Sequence, residues 1–81
     1  MNRIEIANIV NEIFQNDLEI DTSNVTEESS IKIELIQDSL AYINMLAAIE
    51  NRFNCVISIE DLSNLHTIGD LYNLIQIKLN N

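Results

Sequence analysis

The 81 residues include no proline and a single glycine, Gly69. Most chain breakers are therefore missing, and the apolar residues recur at helical instead of alternating spacing. The pattern predicts an all-α fold whose helices are ended by polar caps. In the first segment Ile6, Ile9, Val10, Ile13 and Phe14 follow the i, i+3, i+4, i+7, i+8 pattern, with Glu5, Asn8, Asn11 and Glu12 on the other side. A first helix is expected over about residues 2–15, with Asn2 and Glu5 as a capping pair. A second helix is expected to start at Asp38 or Ser39 and run to Phe53, with Leu40, Ile43, Leu46, Ile49 and Phe53 as its apolar stripe. Ser58 followed by Asp61 resembles a capping box and predicts a short third helix over 59–63. The same device at Thr67 and Asp70 opens a fourth, buried through Ile68, Leu71, Tyr72, Ile75 and Leu79.

Between the first two helices, residues 16–37 read as a long connection that Leu18, Ile20, Val25, Ile31, Ile33 and Leu35 pin down. The alternation of Ile31, Ile33 and Leu35 suits a strand, but with no second strand to pair, extended loop is the reading. The expected architecture is a small antiparallel four-helix bundle, three helices long and one short, forming a single domain over residues 1–81.

Thirteen acidic residues against four basic ones give a net charge of −9. The cations Arg3, Lys32, Arg52 and Lys78 are too scattered to track a phosphate backbone, so nucleic acid is excluded and partners with basic patches are favoured. The chain is too short for an enzyme with a pocket between two lobes. A lone cysteine, Cys55, makes neither an internal disulfide nor a cysteine-based zinc site and suits a reducing, cytoplasmic setting. The start, Met-Asn-Arg-Ile-Glu-Ile, lacks the apolar run of a secretory leader. The longest apolar run, Met45 to Ile49, falls far short of the roughly 20 residues that cross a bilayer. A monomer without a membrane span is expected.

A catalytic constellation needs a nucleophile, a base and a group to orient the base, and this chain has one histidine and one cysteine. His66 reads as a loop or cap residue beside the fourth helix, and Cys55 as a small hydrophobe. Asp17, Glu19, Asp21, Ser23 and Glu28 fall at positions 1, 3, 5, 7 and 12 of a calcium-loop spacing, but Thr22 stands where the sharp turn needs glycine and Val25 fills position 9. No metal site is expected.

The informative stretch is Leu35-Ile36-Gln37-Asp38-Ser39-Leu40, just ahead of the strongest helix. A serine in the first turn projects its hydroxyl where an anion meets unpaired N–H groups and the positive end of the helix dipole. Asp38-Ser39-Leu40 entering an acidic helix after a long loop resembles the acyl carrier protein family. The resemblance continues through Ala48-Ile49-Glu50-Asn51-Arg52-Phe53 and Thr67-Ile68-Gly69-Asp70-Leu71, over essentially the whole chain. It implies a carrier and not an enzyme, with 4′-phosphopantetheine from coenzyme A attached to Ser39 and acyl groups held on the arm's thiol as thioesters. It also implies a phosphopantetheinyl transferase and acyl-loading enzymes as partners, in fatty-acid or polyketide assembly. Recognition is expected at Asp38, Leu40 and Glu50, with Glu50 exposed beside the apolar stripe and Leu40 serving either a partner or the core.

The sequence departs from the family pattern in two places. Ile36 stands three residues before the serine, where glycine is common. Ala41 and Asn44 replace frequent acids, and Asn51 and Arg52 follow Glu50. A dedicated aminoacyl carrier, including the D-alanyl type, or a peptidyl carrier is the alternative reading, and an unmodified acidic adaptor is a third. Whatever the cargo, a charge of −9 on so small a core predicts a melting temperature that rises with ionic strength and with divalent cations. Thermal melts across a salt series check this, and a flat response overturns it.

Overall fold

The computed structural model describes residues 1–80. It is all-helical, with α1 at Arg3–Glu12, α2 at Ser39–Phe53, the short α3 at Ile59–Leu62 and α4 at Ile68–Leu79. Two five-residue π-helical turns, Ile13–Asp17 and Ile31–Leu35, complete the described structure. α1 packs on α4, and the first π turn packs on α2.

Each helix start follows from its polar residue. Asn2 and Glu5, Ser58 and Asp61, and Thr67 and Asp70 all form reciprocal capping boxes, as their spacing predicts. Asp38 caps α2, its carboxylate accepting from the Leu40 N–H at 3.2 Å. Two helix ends use left-handed residues in place of glycine. Glu19, at φ 55°, follows the first π turn, and Asn54, at φ 52°, ends α2. With no breaker after Gln15, the first helix runs two residues past its expected end by widening its last turn, which the Leu18 N–H closes onto the Ile13 carbonyl at 3.1 Å.

The core gathers Ile6, Val10, Ile13 and Phe14 from the amino-terminal helix, Tyr42, Met45, Ile49 and Phe53 from α2, and Ile68, Leu71, Tyr72 and Ile75 from α4. Ile31, Ile36 and Leu65 close it from the connections. The α2 face differs from expectation. Leu40 and Ile43 are 64% and 60% exposed, and the buried stripe runs through Tyr42 and Met45 instead. α2 carries apolar residues on two faces, and periodicity alone does not say which meets the rest of the chain.

The connection over 31–35 is also corrected, from extended loop to π turn. Ser30 Oγ accepts from the Ile33 N–H at 3.2 Å, while Glu34 Oε1 accepts from the Ser30 N–H at 3.2 Å. The alternating isoleucines masked this helical cap. Among the described residues the one strand-like pairing is an antiparallel bridge between Ser30 and Thr67.

The long connection is stitched to the start of α4. The Ile68 and Gly69 N–H groups, which have no partner within their own helix, donate to the Ser29 and Glu27 carbonyls at 3.0 and 2.8 Å. The Ile31 N–H donates to the His66 carbonyl at 2.9 Å. Glycine suits this approach, because a Cβ at position 69 would lie 3.1 Å from the Glu27 carbonyl oxygen, tighter than an ordinary contact. Arg3 secures the same place from α1. Its guanidinium grips the Glu27 carboxylate through two hydrogen bonds, at 3.0 and 2.6 Å, and reaches Asn73 and Gln76 of α4 at 2.9 and 2.7 Å.

Lys78 Nζ lies 2.8 Å from Asp61 Oδ2 and ties α4 to α3. Lys78 above all, and then the Ser58 N–H, lower the Asp61 carboxyl from its ordinary 3.8 to about 2. A carboxylate depressed on folding stabilises the fold fully above its ordinary value, and that contribution is lost as pH falls through the folded value. Asp61→Asn should therefore lower the melting temperature near neutrality, with the gap to the native chain closing as pH drops from 3.8 through about 2. A gap that is unchanged at the acid end sinks the assignment.

Candidate functional site

Ser39 is the first residue of α2, and it is exposed. Three layers of local structure hold it there. The second π turn delivers the chain to Ile36, whose N–H closes the turn onto the Ile31 carbonyl at 2.7 Å. Ile36 then plunges into the core at 3% exposure with φ −134° and ψ 97°. Asp38 follows as the cap of α2, its side chain on the Leu40 N–H and its carbonyl accepting from the Tyr42 N–H at 3.0 Å. Ordinary extended backbone at Ile36 means that no glycine is needed for this approach. The residue gains a buried side chain in its place, so the hydroxyl stands on an anchored helix start.

A groove of about 200 Å³ runs beside Ser39, lined by Lys32, Ile36, Gln37, Asp38, Ser39 and Tyr42. Tyr42 is 9% exposed, and burial pushes its phenol pKa up. Its hydroxyl is a buried polar atom with no hydrogen-bond partner among the described residues. Lys32 Nζ rests 4.8 Å from the centre of the Tyr42 ring. Neither side chain stands out in the sequence, where Tyr42 falls outside the stripe expected for α2 and Lys32 is one of four scattered cations. A tyrosine three residues after Ser39, hence on the same helix face, was the available signal.

The other expected site residues divide. Asp38 and Leu40 flank the serine, both exposed, and Leu40 continues along its face to the exposed Ile43 and Ala47. Leu40 is thus outside the core. Glu50 differs from its expected exposure. It is half-buried, and its Oε2 accepts from the Ile57 N–H at 2.8 Å, bracing the chain after α2. It lies about 18 Å along the helix axis from Asp38, at ~1.5 Å per residue. The structure therefore brings Asp38, Ser39 and Leu40 together and leaves Glu50 at the far end.

His66 stays in a capping role, its N–H donating to Asp70 Oδ2 at 3.0 Å. Cys55 is half-buried against the core, where burial first and the Glu50 charge next push its thiol pKa up. In the acidic connection Asp21 accepts from the Ser23 N–H at 2.9 Å. No cluster of three or more histidine, cysteine, aspartate or glutamate residues suited to a metal ion occurs among the described residues. No helix among them is long and apolar enough to cross a membrane.

Comparison with known proteins bears on this arrangement. A family model described as a phosphopantetheine attachment site matches residues 8–75. The chain is 33% identical over 78 residues to the acyl carrier protein MbtL of a Mycobacterium species, spanning 96% of this chain and 88% of the relative. It is 34% identical over 77 residues to an acyl carrier protein of Thermotoga maritima, spanning 95% of each. To an acyl carrier protein of an Exiguobacterium species it is 35% identical over 79 residues, spanning 98% of this chain and 100% of the relative. The residues present fit such an arm. An accessible hydroxyl sits in the first turn of a fifteen-residue helix, whose dipole favours an anion, beside a groove with an unengaged buried hydroxyl.

Ile36 is the anchor this geometry depends on. Ile36→Gly should lower unfolding stability by roughly 3–5 kcal/mol, through the lost burial, the cavity and the freed backbone. Urea denaturation checks it, and a midpoint matching the native protein's would show that the side chain anchors nothing.

Proposed function

Because the chain belongs to the acyl carrier protein family, we propose that it holds acyl intermediates on a 4′-phosphopantetheine arm attached at Ser39. The observation that carries this reading is the exposed first-turn position of Ser39, in the only Asp-Ser-Leu of the chain. Attachment uses the serine as the nucleophile. Its Oγ forms a bond to the β-phosphorus of coenzyme A, the bond from that phosphorus to the nucleotide half breaks, and the hydroxyl proton passes to a base on the phosphopantetheinyl transferase. Magnesium and coenzyme A come with that enzyme, so this chain needs no general base of its own. When bound, the arm supplies a terminal thiol that carries cargo as a thioester. The chain itself presents and does not catalyse.

Presentation is the work of the residues around Ser39. Asp38 fixes the helix start and offers charge to basic partners, while Leu40 and Ile43 form an exposed apolar strip beside the attachment point. Glu50 adds charge at the far end of α2 while bracing Ile57. The 81 residues act as one carrier domain, serving fatty-acid or polyketide assembly in the cytoplasm. The sparse acids of α2, with Ala41 and Asn44 in its first half and Arg52 near its end, favour the alternative of an amino-acid cargo loaded by a dedicated adenylating enzyme.

The test is the intact mass after incubation with coenzyme A, Mg²⁺ and a broad-specificity phosphopantetheinyl transferase. One arm on the native chain and none on Ser39→Ala is expected, with both proteins folded. An unmodified native chain with several transferases overturns the reading in favour of an unmodified adaptor. Loading of an amino acid but no acyl group onto the modified protein selects the alternative cargo.

A further inference from the structure

The groove beside Ser39 joins three kinds of chemistry in one place. Lys32 brings a positive charge, Ile36 and the Tyr42 ring bring apolar surface, and the Tyr42 hydroxyl brings a buried polar atom without a partner. Each is unusual in this molecule. Among the described residues, ion pairs engage Arg3, Arg52 and Lys78, so Lys32 is the cation that has no carboxylate of its own. Tyr42 Oη is the one buried side-chain nitrogen or oxygen there that lacks a hydrogen bond. Such an atom calls for an explanation, since burial without a partner is costly.

A phosphodiester at Ser39 would create the complementary need. It would place an anion next to Asp38, in a chain already at −9, with Lys32 as the only cation lining the groove. The segment that follows the phosphodiester in the arm is a pantoyl unit, whose geminal methyl groups lie beside a hydroxyl and an amide. An apolar wall of Ile36 and the Tyr42 ring, with the unpartnered Tyr42 hydroxyl buried in the same side chain, matches that mixture, and about 200 Å³ suits a short segment of this kind. A long acyl chain would meet Lys32, Gln37 and Asp38 along the same lining.

We infer that Lys32 and Tyr42 form a seat for the proximal part of the arm, Lys32 pairing with the phosphodiester and Tyr42 contacting the pantoyl group through its ring and hydroxyl. The inference rests on the reading of Ser39 as the attachment residue. The seat fixes the root of the arm against α2 and leaves its thiol end free to reach partner enzymes. It involves no bond making or breaking. Its consequence is an arm that is ordered at the base and mobile at the tip.

The experiment uses the full chain, modified enzymatically with coenzyme A carrying ¹³C in the geminal methyl groups, and its mass is checked first. In the native modified protein, nuclear Overhauser contacts should link those methyls to the Tyr42 ring, and their signals should be displaced upfield from their positions in the urea-unfolded modified protein. Lys32→Gln should shift the ³¹P resonance toward its unfolded position and reduce the methyl displacement severalfold. Tyr42→Phe keeps the ring in the core and should weaken the same contacts while leaving the rest of the amide spectrum in place. Methyl and phosphorus signals at their unfolded positions in the native protein, or identical in both variants, overturn the seat while leaving Ser39 as the attachment residue. Absence of the arm from the native chain overturns both together.

Discussion

The start of α4 is the point on which the other features depend. Its first N–H groups have no partner within their own helix, and those of Ile68 and Gly69 donate to the long connection, where the Ser29 and Glu27 carbonyls accept them. Asp70 takes the next two donors, His66 and Thr67, in the same place. A segment with little regular structure is thereby tied down at three alternate positions, Glu27, Ser29 and Ile31, and Arg3 secures it from α1 by gripping Glu27. Without those ties the connection would be free to sample many paths, and nothing would set the direction in which it returns to α2.

That direction reaches the candidate site through a short chain of dependencies. Ser30 caps the second π turn just after the stitched residues, Ile31 and Ile36 sink into the core at its two ends, and Asp38 then starts α2. Ser39 therefore stands on a helix whose first residue is positioned by buried side chains and by a cap. A carrier needs this combination of a rigid base and an open approach, because several enzymes must meet the same hydroxyl or arm in the same orientation. Exposure of Leu40 and Ile43 completes the arrangement, placing apolar contacts beside the proposed attachment point without drawing on the core.

Charge is distributed to the same end. Three of the four cations are committed to ties between distant parts of the chain, Arg3 to Glu27, Arg52 to Glu12 and Lys78 to Asp61. The remaining surface is strongly acidic, which suits encounter with basic partners and works against the compact state. Lys32 lies outside those ties and beside Ser39, the one place where the proposed modification would add a further negative charge.

Much of this was legible in the residues themselves. All three capping boxes, the start of α2 at Asp38 and Ser39, and the buried stripes of α1 and α4 follow from local spacing, because caps and periodicity are interactions between residues three or four apart. The Asp-Ser-Leu tripeptide likewise marked the candidate site by its place at an exposed helix start. What the sequence could not decide were matters settled between distant segments. Which apolar face of α2 is covered, whether Glu50 is free or braces Ile57, and how Lys32 meets Tyr42 all depend on the packing of the connection against two helices. The π turn at 31–35 was hidden for a related reason. Its alternating isoleucines are equally good as strand or turn; the cap from Ser30 and the bond from the Ile36 N–H to the Ile31 carbonyl close a helical turn directly after the single bridge to Thr67. Local chemistry determined where helices begin and which serine they present; tertiary contacts decided which surfaces remain open around it, since burial is a property of the partner surface as much as of the residue.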